Sequence, residues 1–484
     1  MTIRTSSFSQ MLTAPTSNLI GGRWQKSQTS FSVRDKYTGD VIAEVSQATP
    51  PQVAEAVSAA AAAFETERLS AVQMARVLRR VRDFIEHKRA LFTEALISET
   101  GFTQADAANE IDRSLVTLEL SAEEGKRITG QMVPFAASPG HASRIGFTMR
   151  FPLGVVCAIT PFNSPLNTVL HKVAPALAAG NSVILKPSAL TPLTAALLCE
   201  TFLEAGLPPR LLTLLQGEGD TVGTALLNEQ AIAFYAFTGS TRVGRLVQQA
   251  AGLRKTQLEL GSIASTILCA DADLDRALPK IANAAFRKAG QVCTSVQMLF
   301  IEKAVVQSVK ERLIEEVLRM PAGNPRDPNT RVGPMIGEDQ ARRAETWILE
   351  AREQGANQLA GGQRSGSVLA PTVLEGVRPG MKVVDREVFC PLLSILPFEH
   401  LDEAINGANA TPYGLSCGLF TRDLTRGLNA ARRLRFGAIH VNETSSARAD
   451  VMPFGGVKDS GFGHEGPAYA VREMTEERLV TLND

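Results

Sequence analysis

The chain has 484 residues, 44% of them hydrophobic, with 50 basic and 50 acidic side chains and a formal net charge of zero. That length exceeds what one hydrophobic core organises, so two large lobes are expected. The charge balance excludes a broad electrostatic grip on nucleic acid or anionic lipid, and no apolar run approaches the roughly 20 residues needed to span a bilayer.

In chain order, MTIRTSSFSQMLTAPTSN comes first: rich in Ser and Thr, with Arg4 and no acid before Asp35, it faintly resembles an organelle transit peptide, although a frayed tail is the preferred reading. Residues 51–64, 70–98 and about 103–127 carry apolar side chains at helical spacing, so the first third is expected to be mostly helical. Between Gly130 and Arg150 a Pro-Gly turn joins two extended pieces, which predicts an exposed hairpin in need of an edge partner. From Gly154 the texture changes to GVVCAITPF, a helix near 166–179, SVILKPS, a helix over 192–204, LLTLLQG, a short helix near 220–228, and AFYAFTGS. Such alternation implies right-handed crossovers and a parallel sheet covered on both faces, a nucleotide-binding architecture. A second α/β alternation starts near Ser265 and runs through MLFIEK, a helix near 304–319, SVLAPTVLEG and a helix near 401–409.

Several short stretches carry chemistry. GEGDTVG (217–223) follows a strand but is spaced GxGxxxG, a weak cofactor signature. FTGSTRVG (237–244) ends a strand in Thr-Gly-Ser at a helix start, where free N–H groups attract a phosphate; a plain Ser240 N-cap explains it equally well. In LKPS (185–188), Lys186 ends a strand at the side where open α/β sheets bind ligands, with a solvated lysine as the competing reading. TPFNSPL (160–166) holds the Asn163 amide between prolines, and LELGS (258–262) sets Glu259 between leucines, where desolvation raises a carboxyl toward the range of a general base. The six cysteines (Cys157, Cys199, Cys269, Cys293, Cys390, Cys417) are scattered without CxxC pairs, so no disulfide framework and no metal site is expected, and a reducing, cytoplasmic setting fits. Of these, Cys293 in AGQVCTSVQ sits among small and polar residues and is the candidate nucleophile.

PFN (161–163), LKPS, FTGS, LELG, GQVC, EVF (387–389) and PFGGVKDSGFGHEG (453–466) occur in this order, and with them the chain, from about residue 18 to its end, resembles the NAD(P)-dependent aldehyde dehydrogenase superfamily. The resemblance is to hydrolytic, non-acylating members, such as those handling succinate semialdehyde, lactaldehyde or phosphonoacetaldehyde. It implies a Rossmann-type NAD(P)-binding lobe from residues 1–128 and 151–259, an α/β catalytic lobe over 260–455, and oligomerisation elements at 129–150 and 470–484.

The resemblance further implies a Cys293 thiohemiacetal and thioester, with Glu259 as base and Asn163 as oxyanion donor. Lys172 and Glu476 match a pair assigned to proton relay. The cofactor is expected against Thr160, Pro161, Lys186, Ser188, Ala189, Gly219, Gly223, Phe237, Gly239, Ser240, Leu260, Glu387 and Phe389. Two departures, Ser262 and Ile263 after LELG and Cys390 after EVF, alter the surroundings of Glu259 and the packing near Phe389. Ala189 stands where NAD-selective relatives commonly carry glutamate, so both NAD and NADP are expected to serve. Arg113, Arg287, Lys288 and Arg448, with Asn163 and Thr294, suggest an entrance for a small aldehyde bearing a carboxylate, phosphonate or sulfonate. Acylation of coenzyme A is the rival activity, disfavoured by Glu259; a binding or structural relative is the rival class. The hairpin and the tail EERLVTLND suggest a homodimer or homotetramer, with the tail suited to joining a neighbouring sheet.

Overall fold

The computed structural model describes residues 14–483. The stretch read as a frayed tail or transit peptide lies mostly outside these residues, but its end is built in: Asn18 is buried, and its side-chain oxygen accepts the Gln216 N–H at 2.7 Å.

The alanine-rich segment forms the helix Pro50–Thr66, started by a reciprocal Thr49–Gln52 capping box. The helix expected over 70–98 is two helices, Ala71–His87 and Arg89–Thr100. Lys88 breaks them at φ −94°, ψ 18°, which redirects the second so that Phe92, Ala95 and Leu96 are buried. Gln104–Gly125 follows as one helix, capped by Thr103.

The larger sheet has eight strands, in the order Arg23–Gln25, Asn18–Ile20, Leu212–Leu214, Ser182–Lys186, Val155–Ile159, Ile232–Thr238, Lys255–Glu259, Gly461–Phe462. The middle five are parallel. Their register aligns Lys186 with Ile159, Ile159 with Phe237, and Thr238 with Glu259, so the predicted ligand residues gather along one carboxyl edge. The last strand is donated from near the chain's end, and Gly461 is required there: at φ +105° it lies so close to its neighbour that a Cβ would sit 1.9 Å from the Leu258 carbonyl oxygen. A second sheet of seven strands runs Asn357–Ala360, Thr372–Glu375, Leu392–Phe398, Met298–Glu302, Ser265–Leu268, Ser416–Phe420, Ala438–Val441. Ile263, one of the departures, is buried in the core of this second lobe.

The hairpin consists of Met132–Val133 and Ile145–Pro152, and the tail Thr475–Leu482 completes a three-stranded sheet with it. Within the chain the tail joins the hairpin's sheet, eight consecutive residues on each side pairing in antiparallel register. The short helix Pro467–Glu473 before it packs Ala470 and Val471 into the first lobe's core, so the protruding element starts after residue 474. No helix among the described residues is long and apolar enough to cross a membrane.

Candidate active site

One cleft of about 970 Å³ runs along the carboxyl edge of the parallel sheet and down between the two lobes. It is lined by every site residue proposed above except Lys172 and Glu476, which brings together groups from widely separated stretches of chain.

Cys293 lies in the turn that joins helix Leu274–Phe286 to strand Met298–Glu302, and it is half-buried. The approach to it is tightly wound: Lys288 and Ala289 take φ of 53° and 52°, and Gly290 follows at 67°, where a Cβ would fall 2.1 Å from the Cys390 carbonyl oxygen. Burial pushes the Cys293 thiol up to about 12, the carboxylates of Glu259, Glu387 and Glu465 adding to the effect and Arg448 opposing it. The thiol therefore needs a base. Among the described residues no acceptor takes the Cys293 backbone N–H, and the Asn163 amide donates to the Gln291 carbonyl at 2.8 Å, next to the same turn.

Glu259 ends its strand at 3% exposure, and neither carboxylate oxygen has a hydrogen-bond partner. Burial, reinforced by the negative charge of Glu465 and opposed by Lys172 and Arg448, holds its pKa well above the usual carboxylate range. Buried polar groups are rarely left unsatisfied, and those that are cluster at functional sites.

Lys172 does not meet Glu476. Its ammonium donates to Glu465 at 2.8 Å in full burial, and Arg448 donates to the other oxygen at 2.6 Å. Glu476 lies on the terminal strand opposite Phe151 and pairs with Arg478. The reason is topological: residues 461–465 lie beside the end of the Glu259 strand, whereas residue 476 has already left on the protruding sheet. Glu465 is a site residue that the pattern reading passed over, although it stands inside the quoted GFGHEG stretch.

The three arginines differ in how their charge is spent. Arg113 makes two bonds, of 3.2 and 2.7 Å, to buried Asp450, which also receives Asn167 at 3.0 Å and bonds the His171 ring nitrogen at 2.8 Å. Arg448 serves Glu465 and lies 3.8 Å over the Phe454 ring. Only Arg287 has no carboxylate partner among the described residues; it donates to Ser446 at 2.6 Å, and Ser446 is 3.1 Å from the Thr294 hydroxyl.

At the other end of the cleft the groups fit a dinucleotide. Lys186 is buried, donates to the Gly217 carbonyl at 2.8 Å, and is held down to about 8 by that burial. Thr160 presents a buried hydroxyl with no partner. Ser240 caps helix Thr241–Ala251, whose first turn faces the cleft. Gly219 and Gly223 belong to a wide π-helical turn, and a Cβ on either would meet nothing closer than Lys186 at 3.9 Å. Glu387 is half-buried, accepts the Ser262 N–H at 2.9 Å and is raised to about 7 by desolvation, while Phe389 takes a left-handed φ of 48° and meets Phe162 edge to face at 5.9 Å. Ala189 and Ser188 line the same end, joined by Arg242 and by the exposed acids Glu218 and Asp220.

Residues 24–480 match the aldehyde dehydrogenase family. A 3-sulfolactaldehyde dehydrogenase of Priestia aryabhattai is 44% identical over 464 residues, 96% of this chain and 97% of that one. Among solved structures, aldehyde dehydrogenase 21 of Physcomitrella patens, in complex with the reaction product succinate, superposes with a TM-score of 0.94 at 32% identity, covering 97% of this chain and 98% of the other. The glyceraldehyde-3-phosphate dehydrogenase of Methanocaldococcus jannaschii, complexed with NADP, gives 0.91 at 33% identity over 95% and 100%. The chain thus belongs to the aldehyde dehydrogenase family and is an NAD(P)-dependent oxidoreductase.

Proposed function

We propose that the protein oxidises a small aldehyde carrying a sulfonate or carboxylate to the corresponding acid, by covalent catalysis at Cys293 and hydrolysis with Glu259 as base. The observation that carries the reading is the pairing of a cleft-floor thiol with a buried carboxylate whose two oxygens are unpartnered. Glu259 takes the thiol proton, and the sulfur attacks the carbonyl carbon. The resulting oxyanion accepts hydrogen bonds from the Asn163 amide and the Cys293 N–H. A nicotinamide cofactor held along Lys186, Ser240, Glu387 and Phe389 would supply the hydride acceptor needed to turn the thiohemiacetal into a thioester. Glu259 first gives the thiol proton up to solvent, then removes a proton from water as it attacks that thioester; the C–S bond breaks, the acid leaves, and the departing thiolate takes the proton back from Glu259. Lys172 and Arg448 keep Glu465 anionic beside Glu259, which favours the base holding a proton once it has taken one.

Arg287 favours an anionic substrate, because, of Arg113, Arg287 and Arg448, it is the one without a carboxylate partner among the described residues, and Thr294 lines the cleft between it and Cys293. The sulfonate in the name of the Priestia aryabhattai relative supports the same chemistry. Arg287→Met is expected to raise KM for anionic aldehydes about 10- to 100-fold, the loss of one charge-assisted hydrogen-bonded contact, while neutral aldehydes are unaffected. Steady-state kinetics on paired substrates tests this, and an equal loss on both would remove the anionic reading. Coenzyme A as acceptor is disfavoured because a water-activating carboxylate stands free.

Both cofactors are expected to serve. No acid occupies position 189, and Lys186, Ser188 and Arg242 offer donors to a 2′-phosphate, while Glu218 and Asp220 are exposed and screened by solvent. The efficiency with NADP should stay above about 10⁻³ of that with NAD, each 10-fold step being about 1.4 kcal/mol. A kcat/KM comparison yielding a smaller ratio would refute dual use.

A further inference from the structure

Lys288 and Glu110 are both buried, at 5% and 1% exposure, and pair at 2.8 Å across the boundary between the lobes. Lys288 belongs to the left-handed turn before the nucleophile, and Glu110 to the long helix Gln104–Gly125 of the first lobe. The carboxylate is shared. One Glu110 oxygen takes Lys288, while the other takes the Ser164 hydroxyl at 2.6 Å and the Asn167 N–H at 2.8 Å. The ammonium also reaches the Asn163 carbonyl oxygen at 3.3 Å and lies 4.2 Å over the Phe102 ring. A second link runs in parallel, from the Asn163 side chain to the Gln291 carbonyl. Residues 163–167 and 288–291 are thus tied at two points, with Cys293 two residues beyond the second.

Two consecutive left-handed residues with side chains persist only where their surroundings over-determine them. Here the lysine that adopts the first of these conformations is also the one held by Glu110, and neither group is needed for the proton transfers described above. We infer that the Lys288–Glu110 pair is a positioning clasp, which holds the turn before Cys293 against the segment carrying Asn163 so that sulfur and amide face one carbonyl group. The inference rests on the roles proposed for those two residues.

Lys288→Met is expected to lower kcat about 30- to 100-fold on neutral and anionic aldehydes alike, the scale of an ångström-level misplacement of reacting groups. KM for the aldehyde and the dissociation constant for NAD should stay within about threefold, with rates expressed per cofactor-binding site so that misfolded protein does not count. Glu110→Gln keeps the side-chain volume and serves as the second variant should the first fail to fold; the same loss is expected. Because the pair acts as a unit, the double variant should be no slower than the worse single by more than about twofold. An unchanged kcat, or losses that multiply in the double variant, would overturn the clasp. So would a KM increase confined to anionic aldehydes, which would make the ammonium a reader of substrate charge. If wild type oxidises aldehydes through Cys293 and Lys288→Met is normal, the clasp alone falls; if a Cys293 variant keeps its activity, the mechanism beneath it falls first.

Discussion

Cys293→Ala is expected to abolish aldehyde-dependent nicotinamide reduction, lowering kcat by on the order of 10⁴-fold or more, while NAD still binds and protects the protein against heat. The size follows from the role: without the sulfur no covalent intermediate forms, and what remains is binding and oxyanion stabilisation alone. The structure separates this loss from a folding defect. Cys293 is half-buried at the cleft floor, so truncating it enlarges the cleft and leaves no sealed cavity, whereas Cys157, Cys199, Cys269, Cys390 and Cys417 are all buried in the lobes. Rate measurements paired with thermal denaturation in NAD read both effects. A variant that retains even a tenth of wild-type activity would take the thiol out of the chemistry.

Part of this site could be read from the chain because the groups occupy strand ends. Once alternating strands and helices imply a parallel sheet, ILKPS, AFTGS and LELGS must deliver Lys186, Ser240 and Glu259 to the same edge, whatever the loops do. Pairings between distant segments left no local trace. Arg113 and Asp450 are 337 residues apart, and nothing near either announces that the carboxylate neutralises the guanidinium. The partner of Lys172 was misplaced for the same reason, since it depends on how the stretch after Gly461 docks beside the Glu259 strand. The tail was correctly a strand in pattern, but alternation in a sequence cannot say whether the sheet it joins belongs to its own chain. Lys88 ends a helix with no Gly or Pro to mark the break, because packing, not propensity, turns the chain there.

Glu259→Gln should slow steady-state turnover on the order of 10²- to 10⁴-fold, the usual contribution of a general base. It should also make the protein more stable at alkaline pH. Both effects follow from one fact, that the carboxyl sits buried with no partner for either oxygen. Its folded pKa is raised well above the unfolded value of about 4.5. Below the unfolded value both states hold the proton and the group is neutral to stability. As pH rises past it the unfolded chain releases its proton first, so the folded state loses stability until the folded pKa is passed, and above that the full desolvation cost remains. Glutamine never ionises and removes this cost, so melting temperatures of the two proteins should converge near pH 4 and diverge in favour of the variant toward pH 9. Activity must move the other way: the base exists only as carboxylate, so the wild-type rate climbs with pH through the raised pKa, and this limb is missing in the variant. Rapid mixing locates the step. A burst of one reduced cofactor per site, followed by slow turnover, places Glu259 in thioester hydrolysis; a uniformly slow first turnover places it in activating Cys293. Unchanged turnover together with unchanged alkaline stability would mean that the carboxyl is solvated in solution, and the case for it as the base would be lost.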